Sequence, residues 1–294
     1  MAHTLTVLVT GVTGKQGGAL ARLLLKKGHR VRAFTRRPDS PAAQQLKPLG
    51  AELAVGNFDD RAAIERAAQG VDALFAMSTP YEAGTEVETR QGIELADAAK
   101  PAGVKHLVFT SVANADRKTG IPHFDSKYKV EQHIKTLGIP YTILAPVFFM
   151  ENLISPWWLP GLQEGKLAMA LPGTRKLQQV AVDDIAGFAA VVLERREQFL
   201  GKRIDLASDE VTGNEVVDVL SRVSGRKIEY AEFPLAQLRA MNEDFAKMFD
   251  WFNRVGYSAD IPGLRRNYPE VGWHTFEGWA KAQDWSPLKR ATAG

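Results

Sequence analysis

The sequence predicts an α/β protein, a Rossmann-type doubly wound parallel sheet with a smaller C-terminal α+β domain. Three observations predict it. Short β-rich runs alternate with helix-forming stretches over the first 110 residues, with brief connections between them. Three glycines spaced three apart, Gly11, Gly14 and Gly17, fall between the first strand and the first helix. After about residue 150 the alternation gives way to the proline- and tryptophan-rich segment Pro156-Trp157-Trp158-Leu159-Pro160.

The elements follow in order. Leu5–Thr10 is a β-rich run that ends at Gly11. Ala19–Lys27 carries leucines at 20, 23 and 24, and Gly28 stands where a helix would stop. Val31–Thr35 reads as the second strand, stopped by Pro38, and a helical stretch over 42–49 ends at Gly50. Ala51–Val55 is the third strand, Arg61–Ala68 a helix and Ala73–Met77 the fourth strand. Residues 86–99 are helical, Lys105–Thr110 is the fifth strand, and a helix containing Lys127–Leu137 leads to the sixth, Tyr141–Leu144. The run Val182–Ala186 opens a helix that returns to the main sheet, as does the strand Arg203–Ala207. Residues 1–152 are therefore expected to form the main domain, with returning elements at about 181–208. Residues 153–180 and 209–294 are expected to form the smaller, substrate-facing domain, with a late helix over Thr275–Gln283 and a loose tail from Ser286.

Composition narrows the chemistry. The chain has 294 residues, 45% hydrophobic and 24% charged, ordinary values for a soluble globular protein. A net charge of +3, with Lys and Arg scattered among acids, gives little reason to expect nucleic acid as a partner. The absence of cysteine excludes disulfides, thiolate nucleophiles and cysteine-ligated metals. No secretory signal pattern opens the chain and no run nears the roughly 20 apolar residues of a membrane span, so a cytoplasmic protein is expected. His3, His29, His106, His123, His133 and His274 show no ligand spacing with carboxylates, and no metal is expected. There is no Gly-x-Ser-x-Gly elbow for acyl transfer.

The glycine turn points to a dinucleotide. The first glycine permits the tight turn, the others let backbone and helix approach a pyrophosphate, and the amides of the helix N-terminus face its charge. Thr13 belongs to the same turn, and Lys15 and Gln16 would add side-chain donors unless they face solvent. Proteins that prefer NAD place an acid about 20 residues later, after the second strand. Here that position reads Thr35-Arg36-Arg37, and a guanidinium suits a 2′-phosphate. NADP(H) is the expected cofactor, with Arg36 the principal contact and Arg37 secondary, the bland alternative being two exposed loop arginines.

The spacing Gly-x-x-Gly-x-x-Gly resembles that of the extended and atypical short-chain dehydrogenase/reductases. Three segments together resemble the NmrA-like family: the first strand with Gly11-Val12-Thr13-Gly14-Lys15-Gln16-Gly17-Gly18, the block His123-Phe124-Asp125-Ser126-Lys127, and Phe149-Met150-Glu151-Asn152-Leu153. The resemblance implies an NAD(P)-binding Rossmann domain, a smaller C-terminal domain and a ligand cleft between them. It further implies that Asn57 and Phe58 flank the adenine, that Ser78, Thr79 and Pro80 line the nicotinamide-side ribose, and that Lys127 bonds ribose hydroxyls. Phe149, Glu151 and Asn152 would pass along the nicotinamide. Asp59 and Asp60 read instead as caps of the next helix, and Phe58 is equally suited to packing.

Short-chain reductases use a Tyr-x-x-x-Lys pair and a serine from the preceding strand, the lysine lowering the tyrosine pKa so that the phenol can exchange the substrate proton. Ser111 and Lys127 stand in those places, but the residue four before the lysine is His123. Two readings follow. Either His123 carries the proton, since an unperturbed imidazole titrates at about 6.5, or no protein acid works there and a quinone-like acceptor takes hydride unaided. A third possibility, a site that only senses NADP(H), is equally open, and so is a His123 that merely faces solvent. Tyr128 is about 100° around a helix from Lys127 and Tyr141 begins a strand, so neither replaces the missing tyrosine.

The C-terminal region is rich in aromatic residues, among them Phe233, Phe245, Phe249, Trp251, Phe252, Tyr257, Trp273, Phe276, Trp279 and Trp285. They suit either a hydrophobic lid over a flat apolar substrate or the small domain's own core. Phe245, Met248, Phe249 and Phe252 recur at helical spacing and mark a buried face. The leading expectation is an NADPH-dependent oxidoreductase acting on a small, flat, apolar quinone or carbonyl. The alternative is a non-catalytic NADP(H) sensor with a protein partner.

Overall fold

A computed structural model describes residues 4–290. The chain leaves β1 (Thr6–Val9), enters α1 (Lys15–Lys26) and continues through β2 (Arg30–Thr35), α2 (Pro41–Gln44), β3 (Glu52–Val55), α3 (Arg61–Ala68), β4 (Ala73–Ala76), α4 (Gly84–Ala99), β5 (His106–Thr110), α5 (Pro122–Thr136) and β6 (Tyr141–Pro146). There follow β7 (Phe148–Phe149), α6 (Leu159–Gln163), β8 (Lys166–Met169), β9 (Lys176–Val180), α7 (Val182–Glu194), β10 (Arg203–Leu206), β11 (Asp209–Thr212), α8 (Gly213–Ser224) and β12 (Glu229–Glu232). The last helices are α9 (Leu235–Met241), α10 (Glu243–Arg254), α11 (Ile261–Asn267) and α12 (Phe276–Ala282).

Two compact units result. The first comprises Met1–Lys118, Pro122–Ala145 and Ile185–Ile204, and the second Thr119–Ile121, Pro146–Asp184 and Asp205–Gly294. Among the described residues a seven-stranded sheet runs in the order β10-β6-β5-β4-β1-β2-β3. The pairings of β1 with β2 and β4, β2 with β3, β4 with β5 and β5 with β6 are all parallel. The chain moves outward from β1 to β3, then returns to place β4 on the other side of β1. That reversal is a Rossmann switch point, and it opens a crevice at the carboxyl ends of β1 and β4.

Burial explains the strands and helices of the first unit. All five residues of β5 are buried, as a strand covered on both faces requires. One core joins Leu8, Phe34, Leu74, Leu107 and Phe109 of the sheet to Ile64, Leu95, Val130 and Ile134 of α3, α4 and α5. The helix expected over 42–49 is instead one turn, α2, followed by a 3-10 turn, Lys47–Leu49, that ends at Gly50 with φ +99°. Pro48 lacks the amide that would continue an α-helix.

In the second unit β7, β9 and β11 form one small sheet and β8 pairs with β12 in another. The helix α8, not among the expected elements, has a complete capping box between Thr212 and Glu215 and stops at Gly225 with φ +68°. In α10 the buried face is Ala246, Met248, Phe249, Trp251 and Phe252. Phe245, expected on that face, is half-buried and packs against Trp157 at 5.4 Å between ring centroids. Trp251, Trp273, Phe276, Trp279 and Trp285 are buried, in keeping with their reading as core. The tail begins as a 3-10 turn, Ser286–Arg290, while residues 291–294, like His3, lie outside the described residues. Among the described residues, no helix is long and apolar enough to cross a membrane and no cluster of ligating side chains would hold a metal.

Candidate functional site

The glycine turn occupies the switch point. Thr10, fully buried at the end of β1, donates its hydroxyl to Phe75 O at 3.1 Å and accepts from Met77 N at 3.0 Å, tying β1 to β4. Gly11 then turns the chain with φ +64°, a conformation that favours glycine. The Gly14 amide donates to Gly11 O at 2.9 Å, and Gly14 becomes the N-cap of α1. A Cβ on Gly17 would lie 2.6 Å from the Gly11 carbonyl carbon and closer still to Thr10 O, so only glycine lets the helix approach the strand. The α1 N-terminus has no side-chain cap and no acid in its first turn. Unsatisfied amides and a positive dipole end are what a pyrophosphate binds. Lys15 is exposed at that end. Gln16 accepts from the Thr110 hydroxyl through Oε1 at 2.9 Å, so that end of its side chain is committed to β5 and only Nε2 is left to serve as the expected phosphate donor.

Beside the turn lies a cavity of about 440 Å³. Gly11, Thr13 and Gly14 of the turn line it together with Arg36, Arg37 and Glu82 and with Asn57, Phe58 and Thr79. Phe34 forms a floor: its ring stacks on Phe58 with an interplanar angle of 8°, and a Cβ on Gly56 would lie 2.7 Å from it. Asn57 Oδ1 accepts from Asp59 N at 2.7 Å. Asp60 caps α3 as expected, accepting from Ala63 N at 2.9 Å, but Asp59 pairs with Arg90 at 2.6 Å and does not cap. Arg36 is ion-paired with Glu82 at 2.8 Å.

Only one of the three residues after β4 faces this cavity. Thr79 lines it, whereas the Ser78 hydroxyl is buried against the Gly92 backbone and has no hydrogen-bond partner among the described residues. The Pro80 carbonyl accepts from Gly84 N at 2.8 Å, closing the turn into α4. Of the residues expected to line the nicotinamide-side ribose, Thr79 alone lines this cavity, while the Ser78 hydroxyl packs against α4 and the Pro80 carbonyl closes a turn.

The block on α5 is also more internal than expected. Lys127 donates to Ser78 O at 2.9 Å and pairs with Glu88 Oε1 at 2.9 Å, and Glu88 has no exposed surface. Ser126 donates to the same carboxylate. Ser111 donates to Glu131, another fully buried acid, which also pairs with Arg203 at 3.0 Å. Burial pushes the Glu131 carboxyl up, against the opposing pull of Arg203 and Ser111. The Ser111 hydroxyl, expected in a catalytic set, donates its proton to a buried carboxylate in this structure. His123 does not face solvent: it is 7% exposed, in the first turn of α5, with its ring edge-on to Phe124 at 4.9 Å. Glu88 and Glu131 went unnoticed in the sequence. The signal was an acid on a face of helix formers, which reads as a solvated position until tertiary packing buries it.

In the second unit, Phe149 and Asn152 are half-buried. Glu151 accepts from Val182 N at 3.0 and 3.1 Å and from Trp279 Nε1 at 2.9 Å. The carboxylate of Glu151, expected beside a nicotinamide, thus accepts from α7 and α12. Nearby, buried Asp184 accepts from His274 Nδ1 at 2.6 Å, from His274 N at 2.9 Å and from Ser208. Asp184 raises the His274 pKa, chiefly through that hydrogen bond. Because Ser208 bonds the acid and not the imidazole, the trio is no nucleophilic triad.

Residues 3–280 match the NmrA-like family. The chain belongs to that family. Among proteins similar to this NmrA-like chain is (4-alkanoyl-5-oxo-2,5-dihydrofuran-3-yl)methyl phosphate reductase of Streptomyces griseus, 32% identical, with 77% of the chain and 76% of that protein covered. The fold is similar to that of the NADPH-dependent quinone oxidoreductase QOR2 of Escherichia coli, solved with NADPH, at 25% identity and a TM-score of 0.78, covering 93% of this chain and 98% of that one. It is also similar to the fold of NmrA, a negative transcriptional regulator solved with NADP, at 21% identity and a TM-score of 0.79, covering 95% of each chain.

Proposed function

We propose that this chain is an NADPH-dependent reductase that passes hydride to a small, flat, apolar quinone or carbonyl. The observation that carries this reading is one cavity at the β1/β4 switch point lined both by Gly14, the N-cap of a helix with no side-chain cap, and by Arg36 and Arg37. The residues fit the cofactor: glycines whose Cβ atoms would clash, a helix N-terminus without a side-chain cap for the pyrophosphate, Phe58 and Asn57 for the adenine, and guanidinium groups for the 2′-phosphate. The reductase named for Streptomyces griseus and the quinone oxidoreductase of Escherichia coli support the choice of chemistry.

NADPH bound in this way supplies the hydride. Lys127 has three N–H groups, of which one donates to Ser78 O; its charge is paired with Glu88, and a remaining N–H would orient the ribose. His123, one helical turn ahead of Lys127, gives a proton to the alkoxide of a reduced carbonyl. A quinone needs less help, since its reduced anion is stable enough to take a proton from water.

NADPH oxidation followed by absorbance against quinones, aldehydes and dyes tests the reading. Turnover with at least one quinone or carbonyl is expected. Tight NADPH binding without turnover on any acceptor would overturn it. That result would favour a second reading, a non-catalytic NADP(H)-responsive protein that acts through a protein partner. The internal commitments of Ser111 and Lys127, and the absence of a tyrosine four residues before Lys127, favour it.

A further inference from the structure

The cavity holds a charge that a 2′-phosphate site does not require. Glu82 sits beyond the carboxyl end of β4, between the half-buried Pro80 and Gly84, whose φ is +85°. Its Oε1 lies 2.8 Å from Arg36 Nη2, and both side chains are more than half exposed, at 57% and 56%. Both line the cavity. The other acid there, Asp59, is already paired with Arg90 and accepts from Gln91 at 3.2 and 3.3 Å. Glu82 is therefore the carboxylate that answers Arg36.

We propose that Glu82 is a specificity-determining residue: it stands in for the 2′-phosphate on Arg36 and has to be displaced when NADP(H) binds. This rests on the reading of Arg36 as the 2′-phosphate contact. A guanidinium fork offers a planar face that a carboxylate and a phosphate both fit. The phosphate carries about −1.5 to −2 charge near neutrality against −1 for the carboxylate, so it wins the contest. A nucleotide without the 2′-phosphate has nothing with which to displace Glu82, and its ribose hydroxyl can donate to the carboxylate instead. Glu82 thereby narrows the preference for NADPH over NADH that Arg36 alone would set.

Calorimetric titration with adenosine 2′,5′-bisphosphate and with 5′-AMP isolates this end of the cofactor from any catalysis. Exposed ion pairs are weak, so Glu82→Gln is expected to tighten the bisphosphate about 3-fold while leaving 5′-AMP unchanged or weaker. The gain is expected to fade at high salt. Arg36→Ala is expected to weaken the bisphosphate selectively. Equal losses for both nucleotides in Arg36→Ala would overturn the 2′-phosphate reading and the proposal with it. A selective loss there, with the preference of Glu82→Gln unchanged or reduced, would overturn the role of Glu82 alone.

Discussion

Lys127 Nζ lies 2.9 Å from Glu88 Oε1, and the Glu88 side chain exposes no surface. An ion pair of this kind is poor support for stability as a whole, but breaking it from one side strands a charge away from water. Glu88→Ala is therefore expected to destabilise the protein by about 3–5 kcal/mol in urea denaturation. The double variant Glu88→Ala/Lys127→Ala is expected to lose clearly less than the sum of the two single losses, because neither charge is then stranded.

Gly17 has backbone, not flexible side chain, where a Cβ would go. Gly17→Ala can be accommodated only by moving α1 off β1. A loss of about 1–3 kcal/mol is expected, together with weaker NADPH binding, since the amides that face the pyrophosphate move with the helix. Thermal denaturation and a cofactor titration on the same sample would separate a binding loss from mere unfolding.

Two histidines give the stability curve opposite slopes. Burial, reinforced by Arg196, pushes the His106 imidazole down to about 4. The unfolded chain then binds the extra proton more readily, so this contribution is present above about 6.5 and is lost as pH falls towards 4. It is on the order of 3 kcal/mol. His274 is raised by Asp184, so its contribution is fully present below the unfolded value and is lost as pH rises through the folded one. Denaturation midpoints across pH should show His106→Asn flattening the acid limb and His274→Asn flattening the alkaline one.

Ser111 and His123 should part company. Ser111→Ala removes a donor from buried Glu131 and is expected to cost about 1–3 kcal/mol of stability, with NADPH oxidation per folded molecule unchanged. His123→Ala is expected to lower carbonyl turnover about 100-fold and to leave quinone turnover and NADPH affinity nearly intact. A rate loss in Ser111→Ala larger than that in His123→Ala would reverse the assignment.

The sheet was legible because its signals are local: β5 has the apolar run Leu107-Val108-Phe109 at its centre and each connection carries its own glycine or proline. The turn at Gly11, Gly14 and Gly17 was legible for the same reason. What misled was tertiary. Ser111 matches a catalytic position by sequence, yet its partner Glu131 lies 20 residues away on α5. Glu151 matches a ligand-contacting segment, yet its partners are at 182 and 279. Pattern reading assigns such polar side chains to a ligand because the competing protein partner is out of sight. The start of α8 is local by contrast: Thr212 followed three residues later by Glu215 is a capping-box signal in the sequence itself.

The bond from Trp279 to Glu151 also sets a schedule for biosynthesis. A chain emerging from the ribosome folds its N-terminal parts first, and β1 to β6 can assemble from the first 146 residues. The 3-10 turn that follows cannot. Its Glu151 carboxylate waits for an indole made 128 residues later. A product stopped before Arg203 would carry the sheet without its β10 edge and an unfinished turn beyond it, the sort of half-built surface that chaperones and proteases recognise.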